Sequence, residues 1–477
     1  MASIRPGRIA APQHRESGPS PDRAARTGRQ RALTPSLVII CIGYFLVILD
    51  VTVVNVALPS IGRQLHGGVS GLQWVVDAYT LSFAGLLLAG GALAERAGGR
   101  RVLAAGLALF ALCSAGCGLA PSLAVLVAAR LIQGAAAALL VPSSLVLLQA
   151  SYPDRRARAR AFGVWGAVAG VGAAAGPIVG GLLVSAWSWR AVFFLNLPFA
   201  LAALVLVRAF VPVPQRHRRG MDLAGQLLGI AALALLAGAL VEAGPAGWTA
   251  PAVLAGFALA AAAGAAFVVV EHRGSDPMLP LGLLRRPAFR AGTLIGLLIN
   301  LGFYGQLFVM SLYFQDVRGY SPAQTGLALL PEAALLTVAS TVSGRLMART
   351  GPRLPMLTGL LLGAAGLFGT MVAGGHTPYG LLVLPMAAAG FGMATTMPAA
   401  TASVMEAAPA SRGGIASGVV NAARQTGALL GVALLGTLLH TRADFTGGLH
   451  AGLAIAGAAF LAGALAAFRG ADRPARA

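Results

Sequence analysis

Three ionisable residues stand inside stretches that are otherwise apolar. Asp50 lies in Leu49-Asp50-Val-Thr52-Val-Val-Asn55-Val-Ala57-Leu58-Pro59, Arg130 opens Arg130-Leu-Ile-Gln133-Gly134, and Glu332 follows Pro331. An ionised carboxylate removed from water is costly, so an acid retained at such a place is suited to loading and releasing a proton. The plainer alternative is a hydrogen-bonded packing acid near a helix end. Arginine stays charged and costs about 2.5 to 3.5 kcal/mol at the centre of a membrane helix. Arg130 therefore needs a partner, for which Asp50 is the candidate, or a wet cavity, or a path by which its side chain snorkels to the interface. Glu332 is suited to holding a cationic compound or sharing proton traffic with Asp50; near a helix mouth it would simply be solvated. Asp77 and Glu242 read as interfacial acids, and Arg424 as a structural, bundle-facing cation.

The rest of the chain says what must position these residues. Of 477 residues, 57% are hydrophobic and only 10% charged, and the mean hydropathy is +0.78. A soluble domain carries roughly 25% charged residues, so this chain expects lipid around it. The net charge of +20 comes from 35 basic residues, all of them arginine. They fall in short clusters between apolar runs, as topology signals do, and form no phosphate-binding stripe, so no nucleic-acid partner is expected. The absence of lysine removes any Walker-type loop and with it an ATP-driven pump in one chain. Cys41, Cys113 and Cys117 sit in apolar runs without accompanying histidines or carboxylates, so neither a disulfide framework nor a metal site is expected. No enzyme signature and no cofactor motif is present.

A bilayer core of about 30 Å takes about 20 apolar residues per helix. That rule places spans near 36–58, 73–94, 101–120, 123–149, 161–185 and 190–211, two more near 222–243 and 250–271, and six near 289–313, 323–346, 354–374, 379–405, 414–438 and 448–468. Alternate loops carry the arginines: Arg96, Arg100 and Arg101; Arg155, Arg156, Arg158 and Arg160; Arg216, Arg218 and Arg219; Arg273, Arg285, Arg286 and Arg290; Arg345, Arg349 and Arg353; Arg412; then Arg469, Arg473 and Arg476. The other loops keep only Arg63, Arg190, Arg318 and Arg442. This asymmetry predicts both termini in the cytoplasm and an even number of spans in a cell membrane.

The chain also repeats itself. Gly91-Ala-Leu-Ala-Glu95-Arg96-Ala-Gly98-Gly-Arg100 recurs 253 residues later as Gly344-Arg-Leu-Met-Ala348-Arg349-Thr-Gly351-Pro-Arg353. Gly134 with Pro142 is matched by Gly390 with Pro398, and Gly163, Gly172 and Gly176 by Gly418, Gly427 and Gly431. A duplicated six-helix block with two helices inserted between the copies satisfies these offsets, and such repeats face each other across a central cavity. The expected organisation is an arginine-rich disordered tail (1–34), a first bundle (35–211), an inserted pair with flanking loops (212–288), a second bundle (289–468) and a short tail (469–477).

Five local signatures make the chain similar to the fourteen-helix drug:proton antiporter branch of the major facilitator superfamily, over nearly everything after residue 35. They are the Asp50 segment; the loop Gly91 to Arg101; Arg130-Leu-Ile-Gln133-Gly134; Gly172-Ala-Ala-Ala-Gly176-Pro177-Ile-Val-Gly180-Gly181; and Trp187-Ser-Trp189-Arg190 running to Asn196 and Pro198. The resemblance implies an all-α integral membrane protein with two six-helix bundles plus two additional helices. It implies proton coupling at Asp50 and Arg130, with Glu332 as an additional acid. It makes a cytoplasmic gate of Gly91, Glu95, Arg96, Gly98, Arg100 and Arg101, with Glu95 and Gly99 departing from the family pattern. The glycine stripe implies antiport, and the tryptophan segment, an outer interfacial anchor, marks the family. Asn55, Gln133, Phe303, Tyr304 and Glu332 are the candidate lining of the substrate cavity. The function so implied is proton-coupled export of small lipophilic or cationic compounds by alternating access, its partners being substrate, protons and lipids, with no obligate protein partner. A dedicated exporter of one antibiotic or metabolite is the alternative within the class. A non-transporting sensor or scaffold is the alternative outside it, opposed by the retained Asp50, Arg130 and glycine stripe.

Overall fold

The computed structural model describes residues 21–152, 154–211, 222–274, 277–279, 281–409, 413–441 and 444–470. Fourteen helices in it are long and apolar enough to cross a membrane: α1 Pro35–Leu65, α2 Val69–Ala97, α3 Gly99–Gly118, α4 Leu123–Ser151, α5 Arg160–Ala186, α6 Arg190–Phe210, α7 Leu223–Ala246, α8 Pro251–Arg273, α9 Pro287–Val317, α10 Pro322–Thr350, α11 Arg353–Val372, α12 Gly380–Ala407, α13 Gly414–His440 and α14 Phe445–Gly470. The first helix begins at Pro21, within the stretch read above as tail. Arg216, Arg218, Arg219, Arg412, Arg442, Arg473 and Arg476 lie outside the described residues, as do 1–20 and 471–477.

Two of the spans are each broken into two helical segments shortly before a proline. α6 breaks at Leu195 into Arg190–Phe194 and Asn196–Phe210, and α10 breaks at Leu329 into Pro322–Ala328 and Leu330–Thr350. Pro198 and Pro331 each lack the N–H for the bond four residues back and crowd the carbonyl there, so the turn before each prolongs poorly. The break in α6 leaves Asn196 at the start of a new helical segment, aimed into the bundle interior. α9 runs past its expected end because its last turn widens into a π-helix, Tyr313–Val317.

The helices form two six-helix bundles, α1–α6 and α9–α14, with the pair α7–α8 laid against α2 and α13 at one lateral seam. The repeat is visible in the packing. Arg100 donates to the Val211 carbonyl at 3.2 Å and Arg353 to that of Phe468 at 2.9 Å, each tying the loop after a bundle's second helix to the end of its sixth. Gly98 and Gly351, at φ +95° and +76°, make the corresponding turns.

The bundles are closed against each other at the membrane face opposite the one where α1 begins and α14 ends. There Ser311 of α9 donates to the Asn55 carbonyl of α1 at 2.7 Å, and Gln315 to that of Val56 at 2.9 Å. Gln73 of α2 donates to the Ala433 carbonyl of α13 at 2.7 Å. α5 and α10 meet where a side chain at Gly181 would press on the Pro322 carbonyl and one at Gly326 on the Pro177 carbonyl. Glycine is needed at these two positions because backbone lies against backbone.

Candidate functional site

Asp50 and Arg130 are fully enclosed, with 0% and 1% of their surface exposed, and form an ion pair between α1 and α4. The rest of both groups is satisfied by neutral donors and acceptors. Asp50 Oδ1 accepts from Asn196 Nδ2 at 2.8 Å and from Gln133 Nε2 at 3.1 Å. Arg130 donates through Nε to the Val75 carbonyl at 3.0 Å and through Nη1 to Gln133 Oε1 at 2.9 Å, and its guanidinium lies 4.2 Å from the centre of the Tyr79 ring. Ser114 of α3 takes a bond from Gln133 at 2.8 Å, and the Cys117 thiol reaches Gln133 Oε1 at 3.5 Å. The pair thus sits in a sealed pocket made by five helices. Burying two charges is tolerable only with this degree of compensation, and removing the arginine would leave the buried carboxylate without its counter-charge.

The glycine stripe of α5 holds the helix that carries Asp50. A side chain at Gly176 would run into Thr52 Oγ1, and one at Gly180 would press on the Val53 carbonyl at 2.8 Å. Thr52 also donates to the Gly172 carbonyl at 3.4 Å. Pro177 and Gly181 take the same helix to α10 in the other bundle. One short segment of α5 therefore touches both the proton-site helix and the seam between bundles.

Among the remaining candidates, Asn55 sits at that seam through its carbonyl. Gln133 belongs to the sealed pocket, and Phe303 is buried in the apolar core that runs between the bundles. Tyr304 shares a face of α9 with Ser311, seven residues on, and so looks across to α1 from two turns nearer the helix's start. Glu332 is buried, neither carboxyl oxygen has a hydrogen-bond partner, and its backbone carbonyl presses on Gly390 of α12. It does not join the Asp50 network. In the gate loop, Gly91 packs on Pro142, Arg96 and Arg101 are exposed, and the Glu95 carboxylate approaches Gly414 of α13.

The sequence profile of the Major Facilitator Superfamily matches residues 40–222, 219–432 and 293–477. A methylenomycin A resistance protein of Streptomyces coelicolor is 39% identical over 434 residues, 91% of either chain. A multidrug resistance protein of Mycobacterium tuberculosis is 39% identical over 399 residues, covering 83% of this chain and 74% of its own. The chain belongs to the drug-efflux branch of the major facilitator superfamily. Its fold is that of a solved peptide-transporter-family structure in complex with 5-aminolevulinic acid, with a TM-score of 0.69 at 15% identity over 90% of this chain and 95% of that one.

In this facilitator, sequence reasoning left three site residues unassigned. Asn196, expected only as part of an anchoring segment, bonds Asp50; it stands two residues before Pro198, which can interrupt a helix. Asp77, read as interfacial, is wholly buried on the α2 face that carries Gln73 and meets α13, with neither oxygen hydrogen-bonded. Tyr44 of α1 stacks on Trp165 of α5 with ring centres 3.7 Å apart. Nothing in the spacing of those two residues announced that contact. Glu242 is exposed, as an interfacial acid should be.

Proposed function

We propose that this chain exports small organic compounds across the cell membrane in exchange for protons, with both termini in the cytoplasm. The observation that carries the reading is the Asp50–Arg130 pair, sealed from solvent between α4 and α1, the helix that packs on the α5 stripe and reaches α9 of the other bundle. When Asp50 Oδ2 takes up a proton, the pair loses its coulombic attraction. Arg130 keeps the Val75 carbonyl, Gln133 and the Tyr79 face, so the cation is not stranded. α1 transmits the change, because Asp50 lies two residues from Thr52 on the α5 stripe and five from Asn55 at the closed seam. Protonation at one end of this path and opening at the other are the elements of alternating access.

Two relatives bear on breadth. One is named for resistance to methylenomycin A alone and the other for multidrug resistance, so a dedicated antibiotic exporter stands as the second reading.

The test is the internal pH of inverted, energised membrane vesicles on addition of antibiotics and lipophilic dyes. Substrate-linked proton release is expected from the native chain and none from Asp50→Asn. Release that persists in Asp50→Asn at native level would move the coupling site elsewhere.

A further inference from the structure

The middle of the spans holds three carboxyls, Asp50, Asp77 and Glu332, and all are enclosed, at 0%, 0% and 2% exposure. Two arginines stand well inside the spans, at different depths: Arg424 packs on Gly296 of α9, fifteen residues before the Ser311 that meets Asn55 of α1. Arg130 is sealed against Asp50, whereas Arg424 of α13 is only partly buried. Its Nη1 reaches Asn421 Oδ1 at 3.3 Å, and its Nε, although buried, has no partner.

The direction in which Arg424 points follows from helix geometry. α13 packs on α9 through Gly427 and Gly431, on α2 through Gly418, Leu429 and Ala433, and on α7 through Thr437 and His440. At about 100° per residue, Arg424 falls between the α9 face and the α2 face, opposite α7. That sector looks between the bundles, on the side where they are not sealed together. Asn421 lies in the same sector, its amide already donating to the Ser417 carbonyl at 3.0 Å. Tyr304 of the adjacent α9 is within electrostatic reach of Arg424 and, across the gap, of Tyr44 of α1, which stacks on Trp165. The surface between the bundles therefore offers a guanidinium with spare donors, aromatic faces and neutral polar groups, while the mid-span carboxyls are shut away.

We propose that Arg424 is the anion-binding group of the substrate site, and that the compounds carried are aromatic or lipophilic acids bound as anions. A fork of N–H donors matches a carboxylate or sulfonate, and a poorly solvated site strengthens that match while repelling cations. The aromatic faces take the apolar part of the ligand. The inference rests on the exporter reading for its physiological meaning and revises the cationic substrates expected from sequence.

Binding separates the two. Calorimetric titration of the purified full chain in detergent would use three probes of one shape: naphthalene-2-carboxylate, its uncharged amide, and naphthalen-2-ylmethylammonium. The carboxylate is expected to bind at least about tenfold more tightly than the other two. Arg424→Gln should erase that preference while leaving the amide unchanged, and Arg424→Lys should keep part of it. Equal binding of all three, preference for the ammonium, absence of carboxylate binding, or a preference intact in Arg424→Gln would each overturn the assignment. The native chain's selectivity alone decides the matter if the glutamine variant does not fold. Carboxylate binding that holds without any proton movement in vesicles would instead overturn the coupling proposal and leave this one standing.

Discussion

The two bundles share a backbone plan and differ in where they place charge. In the first, Gly134 of α4 lies against the Tyr79 carbonyl of α2; in the second, Gly390 of α12 lies against the Glu332 carbonyl of α10. Tyr79 and Glu332 are 253 residues apart, the offset of the repeated loop. Four residues before Gly134 stands Arg130, and four before Gly390 stands Met386, buried and uncharged. The first bundle thus encloses an acid, its cation and the amides that satisfy both. The second encloses an acid with no cation at the corresponding place, and the amide of Gln306 on α9 is likewise buried without a partner. Close helix approach is a requirement of the backbone and survives duplication. Each copy also holds a lone buried acid, Asp77 in the first and Glu332 in the second, but an acid and a cation buried as a pair need neighbours arranged to compensate both, which only the first copy supplies.

That asymmetry can be broken most forcefully at Arg130. Arg130→Met gives the first bundle the residue of its repeat and strands Asp50. We expect a loss of about 3 to 5 kcal/mol, read as a lower thermal unfolding temperature in detergent, with partial recovery when Asp50→Asn is added. Glu332→Gln should by contrast stay within about 1 kcal/mol of native, because neither carboxyl oxygen makes a hydrogen bond. Equal costs for the two changes would mean that the sealed pair is no more compensated than the lone acid.

A smaller effect sharpens the comparison along α5. Gly176→Ala puts a methyl group into Thr52 and is expected to cost about 1 to 3 kcal/mol and to slow export. Gly163→Ala, three to four turns away where nothing lies within 4 Å, should be neutral or gain up to about 1 kcal/mol from the lost flexibility of glycine. Slower export in Gly163→Ala would place a second close approach on that helix in another conformation.

The smallest change is expected at the seam's rim. Arg63 and Asp316 pair across the bundles at 3.9 Å with side chains 61% and 48% exposed, so Asp316→Asn should alter stability by no more than about 0.5 kcal/mol. A larger loss would show that the closed seam depends on its rim as well as on the buried Gln73, Ser311 and Gln315.

Much of this was legible in the chain. All fourteen spans could be located from apolar length alone, and the pairing of Asp50 with Arg130 was a candidate because a lone arginine at that depth has few alternatives. The α6 break was readable in principle from Pro198, but its consequence for Asn196 was not. Asp77 stands near the start of its span, a place that implies water, whereas the α2–α13 contact covers it.

The sequence by itself determined the membrane class, the number of spans, the duplication and the identity of the charges that would be expensive to bury. These follow from composition and from spacing along one helix, which are local quantities. Only the tertiary structure decided which charges meet, which face of α13 looks between the bundles and at which end the bundles close. Each of those depends on the rotation and height of one helix against another, set by close contacts such as Gly176 on Thr52 and Gly181 on Pro322 between segments more than a hundred residues apart, and no local pattern encodes that sum.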